Sequence, residues 1–331
     1  MERFALAAAV VLGFALTAAL CSLFVPLRRV LERREQQQQP IQPEQPRPAP
    51  LRAPLWGGLC AAAGTVAAVG VGWLAACVGQ PELLGSEGRL MTRLLTALAG
   101  SLAFGAVGLA EDVARMRSPA ALGLRRDVRL LLEALAAAFV LLLLRAAGCL
   151  PRGLGVPGAG YVLLGSAVPF LWAVLMVALA ECARIAERDE GTVCGAAFVA
   201  MLALMMAEAG LGVPGLAVLP AALAGALVAL LLWAFPPARL GVGCCGSLLA
   251  AGAIGCIPLS LDMTSLTVPL ALPFWAAGGL WAAQLLGAKR TGKPLRCWVK
   301  KHKMSPETVF LCSFALSAVG YVLALALLRW C

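Results

Sequence analysis

The residues in this chain best suited to chemistry are Glu111 and Asp112, adjacent carboxylates in the stretch Gly108-Leu109-Ala110-Glu111-Asp112-Val113-Ala114-Arg115. Upstream, Leu94 to Leu109 carries no charge; downstream come Arg115, Arg117, Arg125, Arg126 and Arg129. An acidic pair where an apolar helix runs into a basic loop marks the mouth of a membrane span, and ionisable groups there serve cations or phosphates. Asp112 is therefore the candidate metal ligand, and Asp112 with Glu111 the candidate catalytic pair. A solvated helix end whose acids merely balance its arginines carries the same residues.

Other charged groups invite a simpler account. Glu181, Arg184 and Glu187 recur every three residues, which puts acid, base and acid on one helical face as a self-neutralising strip. Arg129 and Glu133 fall one turn apart as an ordinary intrahelical pair. The glycines of Phe235-Pro-Pro-Ala-Arg239-Leu-Gly-Val-Gly243-Cys244-Cys245-Gly246-Ser247 permit close backbone approach to a phosphate, and equally a packed turn between helices. His302, the sole histidine, sits among lysines and is solvated rather than catalytic on this reading.

The elements that must position these groups are membrane spans. The chain has 331 residues, is 61% hydrophobic and 13% charged, and has a mean hydropathy of +0.88, which excludes an ordinary soluble domain. A span takes about 20 apolar residues. Ten stretches qualify: Phe4 to Leu27, Leu55 to Val78, Leu94 to Leu109, Leu130 to Leu144, Tyr161 to Ala180, Val193 to Ala207, Leu216 to Phe235, Ser247 to Leu261, Val268 to Leu286 and Val309 to Leu328. The expected fold class is thus all-α, a polytopic membrane protein of about ten helices in a single transmembrane domain over residues 1–331. The first stretch is too long for a signal peptide and stays as a helix.

Loops after odd-numbered spans hold 6, 5, 2, 1 and 7 lysines and arginines, 21 of the 27, which places those loops in the cytoplasm and the N-terminus outside. The formal charge of +10 belongs to short juxtamembrane loops, so the expected partners are membrane lipids and phosphorylated ligands, not nucleic acid. Twelve cysteines without CxxC spacing behave as small buried apolar residues. Residues 28–54 are rich in Gln and Pro and read as an extended cytoplasmic tether. The remaining cytoplasmic loops are 111–129, 181–192, 235–246 and 288–308.

In their order, these loops resemble the polyprenyl-phosphate phospho-sugar transferases of glycosyltransferase family 4, among them the phospho-N-acetylmuramoyl-pentapeptide transferases. Ala53-Pro54-Leu55-Trp56-Gly57-Gly58-Leu59 is similar to that family's Thr-Pro-Thr-Met-Gly-Gly segment, and Gly108 to Arg115 to its Gly-Phe-x-Asp-Asp-x-x-Lys. Gly123-Leu124 with Arg129 and Glu133 follows its Gly-Leu, Lys and Gln, and Pro237 to Leu248 its Pro-Ala-Lys-Val-Phe-Met-Gly-Asp-x-Gly-Ser-Leu. Thr291-Gly292-Lys293 leads into a stretch like its triple-histidine loop. The resemblance covers nearly the whole chain. It implies ten helices with the N-terminus outside, a bacterial plasma-membrane location, and transfer of phospho-sugar from a UDP-linked donor to polyprenyl phosphate in cell-wall precursor synthesis. It also implies phosphate or lipid contacts at Arg115, Arg239 and Lys293, and it is compatible with a homodimer.

The chain departs from the family where the chemistry lies. Three family aspartates around a magnesium ion fall on Glu111, Asp112 and Cys244; the nucleotide-reading asparagines, aspartates and glycines fall on Ala178, Glu181, Arg184, Ile185, Glu187 and Arg188; and the triple histidine falls on Arg296, Cys297 and Trp298. A metal supplies several kcal/mol of transition-state stabilisation, and each tenfold in rate is about 1.4 kcal/mol, so these losses together remove nearly all activity. The expectation is a degenerate relative with no cofactor, retained for lipid-phosphate or partner binding. The alternative is an active transferase with altered ligands, which would use Mg2+ and a UDP-sugar. Arg184 is expected to stand in for the metal, with Glu111, Asp112, Glu181 and Glu187 gathered around it, unless it pairs only along its own helix.

Overall fold

The stretch from Gly243 to Ser260 is made of Gly, Ala, Cys, Ser, Leu, Ile and one Pro, and every residue in it is buried. Between helices in lipid there is little hydrophobic drive, and small residues let backbones approach closely enough for van der Waals packing to hold them. This helix is accordingly the axis of the bundle. The computed structural model describes residues 2–38, 56–79, 88–117, 123–151, 153–156, 160–163, 165, 167–188, 191–213, 215–236, 238–291 and 305–330.

In chain order the helices are α1 (Glu2–Gln38), α2 (Gly57–Gly79), α3 (Gly88–Arg117), α4 (Arg126–Ala146), α5 (Ala167–Ala186), α6 (Thr192–Gly210), α7 (Val218–Ala234) and the axial α8 (Gly243–Ser260). A 3-10 turn (Thr264–Leu266) leads to α9 (Thr267–Leu270), α10 (Leu272–Thr291) and α11 (Pro306–Trp330). Between α4 and α5 lies a small antiparallel ribbon, β1 (Gly153–Val156) and β2 (Gly160–Leu163), with Gly153 opposite Leu163 and Val156 opposite Gly160. The main lateral contacts of α8 are with α3, α5 and α2, while α1 packs on α2 and α7, and α6 on α7 and α11.

The helical membrane architecture agrees with the sequence, although the fifth expected span begins on the ribbon and the ninth is divided between two helices. By length and hydropathy, however, seven helices among the described residues are able to cross a membrane, or eight when the pair Thr264–Leu270 and Leu272–Ala283, bent by 63°, counts as one span. Of the two others, α7 is shorter, at 17 residues. In α4 the apolar run is broken by Arg126, Asp127, Arg129, Glu133 and Arg145.

Several expected boundaries move. The fifth apolar stretch does not begin at Tyr161, because glycines on both sides favour the ribbon, and α5 starts at Ala167. The expected tether does not begin at residue 28: α1 runs on to Gln38, since Leu, Arg, Glu and Gln are good helix formers and the first proline of that stretch is Pro40. The rest of the tether, residues 39–55, lies outside the described residues. Helix α3 continues past Leu109 to Arg117, so Glu111 and Asp112 stand inside a helix and not at its end. Likewise Cys244 is in the first turn of α8, not in a loop.

Two glycine contacts set the spacing around α8. A Cβ on Gly108 would overlap the Cys244 carbonyl, and one on Gly58 would overlap the Gly246 amide. The first turn of α2 is further tied to the turn before α8, with Gly57 N–H donating to Gly241 O at 3.2 Å and Gly58 N–H to Val242 O at 2.9 Å. These bonds occupy amides that a helix start otherwise leaves without partners.

Overpacking a close contact costs about 1–3 kcal/mol or more. We therefore expect Gly108→Ala to lower the thermal midpoint of the detergent-solubilised protein clearly. Gly70→Ala, whose added Cβ has no atom within 4 Å, should leave it unchanged or slightly raised. Equal midpoints for the two variants would show that the α3–α8 contact does not limit stability.

Candidate functional site

Helix α3 carries Asp112 one turn beyond the Gly108 contact, which brings its carboxylate onto the start of α8. Oδ1 accepts the Cys244 N–H at 3.0 Å and Oδ2 accepts the Cys245 N–H at 2.8 Å. Gly243, with φ at +72°, makes the left-handed turn that presents these two amides, a conformation that costs glycine nothing. The first amides of a helix lack intrahelical acceptors and carry the positive end of its dipole, so a carboxylate fits there. Asp112 thus caps α8 from a neighbouring helix, and it is only 1% exposed.

Its neighbour Glu111, 2% exposed, is tied to arginines. Arg115 Nη2 donates to Glu111 Oε1 at 2.8 Å, and Arg129 Nη1 lies 3.5 Å from the same oxygen. Arg129, one turn into α4, also donates from Nε to Glu181 Oε1 at 2.7 Å and stands 4.0 Å from Glu133 Oε1. It therefore joins acids from α3, α4 and α5. Arg115 reaches Glu187 Oε2 at 3.7 Å, and Cys244 Sγ lies 4.0 Å from that oxygen. Gly123, with φ at +69°, lies over the Arg115 stem, where an added Cβ would come within 3.1 Å of Arg115 Cγ.

Arg184 is not the centre of this cluster. Its Nη2 donates to Glu181 Oε2 at 2.6 Å, three residues back on its own helix, and its other ion pairs among the described residues are none. The carboxylates gather on Arg129 and Arg115 instead, and Asp112 is held by amides. Among the described residues, four carboxylates (Glu111, Glu133, Glu181, Glu187) meet three guanidiniums (Arg115, Arg129, Arg184). Glu111 Oε2 and both oxygens of Glu133 are buried without a hydrogen-bond partner among the described residues.

Magnesium takes near-octahedral oxygen ligands at about 2.0–2.1 Å. The donor set here fits it poorly: each Asp112 oxygen has one lone pair taken by a backbone N–H, Glu111 Oε1 is paired with Arg115 and lies near Arg129, and the third family position, Cys244, offers a soft thiol. No group of three or more His, Cys, Asp or Glu side chains among the described residues is placed to hold a metal.

Of the residues expected to touch phosphate or lipid, Arg115 is engaged by Glu111 and Glu187, and Arg239 is exposed on the turn before α8, outside the cluster. Lys293 lies outside the described residues, as do His302, Arg296, Cys297 and Trp298. The Arg129–Glu181 and Arg115–Glu187 pairs escaped sequence reasoning, because neither has a helical spacing. The only signal for them was the surplus of acid over base that a self-neutralising strip on α5 leaves.

Comparison with known proteins covers this same region. The family model described as "Glycosyl transferase family 4" matches residues 94–262, which takes in every residue of the cluster and all of α8. Two relatives bear the name phospho-N-acetylmuramoyl-pentapeptide-transferase. The protein of Synechococcus sp. (strain RCC307) is 30% identical over 212 residues, 63% of this chain. That of Geobacillus kaustophilus (strain HTA426) is 26% identical over 271 residues, 81% of this chain. The chain spans about half the length of the first, 55%, and 79% of the second.

Breaking a buried ion pair on one side costs about 3–5 kcal/mol, whereas an i,i+3 helical pair is worth about 0.5 kcal/mol. Arg129→Ala takes away the one guanidinium beside buried Glu133 and the interhelical partner of Glu111 and Glu181, which keep only Arg115 and Arg184, so it should lower the thermal midpoint more than Arg184→Ala, after which Glu181 keeps Arg129. The opposite order of midpoints would return Arg184 to the centre.

Proposed function

The chain belongs to glycosyl transferase family 4, and from that premise we propose that it is a member that keeps the family's membrane fold but no longer carries out metal-dependent phospho-sugar transfer. The observation that carries this reading is the engagement of both Asp112 oxygens by the first amides of α8. An acid that caps the axial helix has one lone pair of each oxygen already committed, and Arg115 stands close enough to act on it electrostatically, so little of its charge is left for a cation. The arginine pairs on Glu111 and the thiol at Cys244 support the same reading.

What the protein retains, on this reading, is binding. By sequence, the loops after odd-numbered spans carry 21 of the 27 lysines and arginines, and such basic loops suit a phosphorylated lipid such as polyprenyl phosphate. Loops 111–129, 181–192, 235–246 and 288–308 would form that face on the cytoplasmic side of a bacterial plasma membrane. A second reading, an active transferase with altered ligands, draws on the unpartnered Glu111 Oε2.

The two readings separate in one assay, transfer of labelled sugar phosphate from a UDP-linked donor to polyprenyl phosphate by the purified protein, with and without magnesium. We expect no magnesium-dependent product. Robust turnover that disappears in Asp112→Asn would establish the active reading. The orientation is checked in intact cells with a membrane-impermeant thiol reagent. Cys149, half-buried at the far end of α4, should be labelled and Cys297 should not; the reverse pattern would invert the topology.

A further inference from the structure

One acid of the cluster stands apart from the rest, and the reading above makes no use of it. Glu133 lies about two turns into α4 and is 0% exposed, and both of its carboxylate oxygens are buried without a hydrogen-bond partner among the described residues. Its ion-pair partner among the described residues is Arg129, whose Nε stands 4.0 Å from Glu133 Oε1. That nitrogen carries a single N–H, which it donates to Glu181 Oε1 at 2.7 Å. Glu133 therefore faces a donor that is already committed. The Nη1 of the same fork lies 3.5 Å from Glu111 Oε1.

The neighbouring helices supply no better partner. Helix α4 packs against α3 and α5, and the charged groups that act on Glu133 are Arg129 on its own helix, Glu111 on α3, and Glu181 and Arg184 on α5. Two of these four are acids, and both arginines are bonded to Glu181, Arg184 through Nη2 at 2.6 Å. A buried carboxylate that receives no hydrogen bond takes up a proton instead of holding its charge. A proton is also the one cation that needs no room.

We infer that Glu133 is a proton-binding site, neutral while the cluster is assembled, and that loss of its proton draws Arg129 away from Glu111 and Glu181. The proton passes to water and a carboxylate forms in its place; no other covalent bond is made or broken. An ionised Glu133 is an i,i+4 neighbour of Arg129 on one helix and competes for the guanidinium at short range. The planar fork already serves two carboxylates, so a third charged claimant displaces one of them.

The proton thereby sets how firmly three helices are laced. Arg129 ties α4 to α5 through Glu181 and to α3 through Glu111, and when it turns to Glu133 those acids keep Arg184 and Arg115, each on its own helix. The crossing loosens as pH rises, whether or not the chain transfers phospho-sugar. In the unfolded chain Glu133 is solvated and ionised at neutral pH, so unfolding releases a proton. Stability from this group is fullest below the unfolded carboxyl value and is lost as pH rises until Glu133 ionises in the folded protein.

The test uses the full chain in detergent, infrared spectroscopy in water and D2O, and Glu133→Gln as the neutral isostere. At neutral pH the wild type should show the carbonyl stretch of a protonated carboxyl that shifts down in D2O, disappears on alkaline titration and is missing from Glu133→Gln. The thermal midpoint of the wild type should fall more steeply with pH than that of Glu133→Gln, its unfolding constant rising up to about tenfold per pH unit relative to the variant. The same carboxyl signal in both proteins would overturn the inference, as would its loss in Glu208→Gln instead, Glu208 being another acid only 1% exposed. Parallel pH dependence of the two midpoints would also overturn it. Should Glu133→Gln fail to accumulate, Glu133→Asp keeps a carboxyl and assigns the band by moving it; a band unmoved in that variant does not belong to Glu133.

Discussion

The whole end of the bundle that carries the candidate site depends on the Asp112 carboxylate at the start of α8. Because α8 is buried at every position, its first amides have no access to water, and a buried unpaired N–H is costly. A neighbour must supply the acceptor, and a buried carboxylate in turn needs donors. Each requirement meets the other, with short charge-assisted bonds at 3.0 and 2.8 Å and the helix dipole in favourable alignment. Gly108 makes the meeting possible by letting α3 come close to Cys244 one turn earlier.

With Asp112 committed to α8, the other acids require a different partner, and arginine provides it. Carboxylates this close cannot remain charged and unpaired in a buried setting, because their repulsion and desolvation are both unfavourable. A divalent cation is one way to neutralise such a group. Here Arg129 and Arg115, from two helices, spread their planar forks over acids on α3, α4 and the end of α5. The arrangement ties helix ends together and neutralises part of the acidic charge from within the chain, which is how the family fold would persist without a metal on the proposed reading.

The membrane class and the position of the helices were legible in the sequence, because a span of about 20 apolar residues is a signal that local context seldom erases. Boundaries were less so. Helix α3 runs through Glu111 and Asp112 because burial against α8 and pairing with Arg115 and Arg129 offset charges that alone read as a helix end. The assignment of Arg184 to the centre was wrong for a physical reason: sequence spacing registers i,i+3 and i,i+4 neighbours, whereas Arg129 and Glu181 are 52 residues apart and meet only when α4 packs beside α5. The Asp112 cap is equally long-range, and its partners are backbone atoms that any residue would supply.

The central claim is that the acids at this end serve the fold and hold no divalent cation. Manganese substitutes for magnesium in oxygen sites and is seen directly by electron paramagnetic resonance. Titrated into the purified wild-type protein, Mn2+ should keep the full signal of the hexaaqua ion up to millimolar concentration. Stoichiometric loss of that signal in the wild type, abolished in Asp112→Asn, would contradict the account.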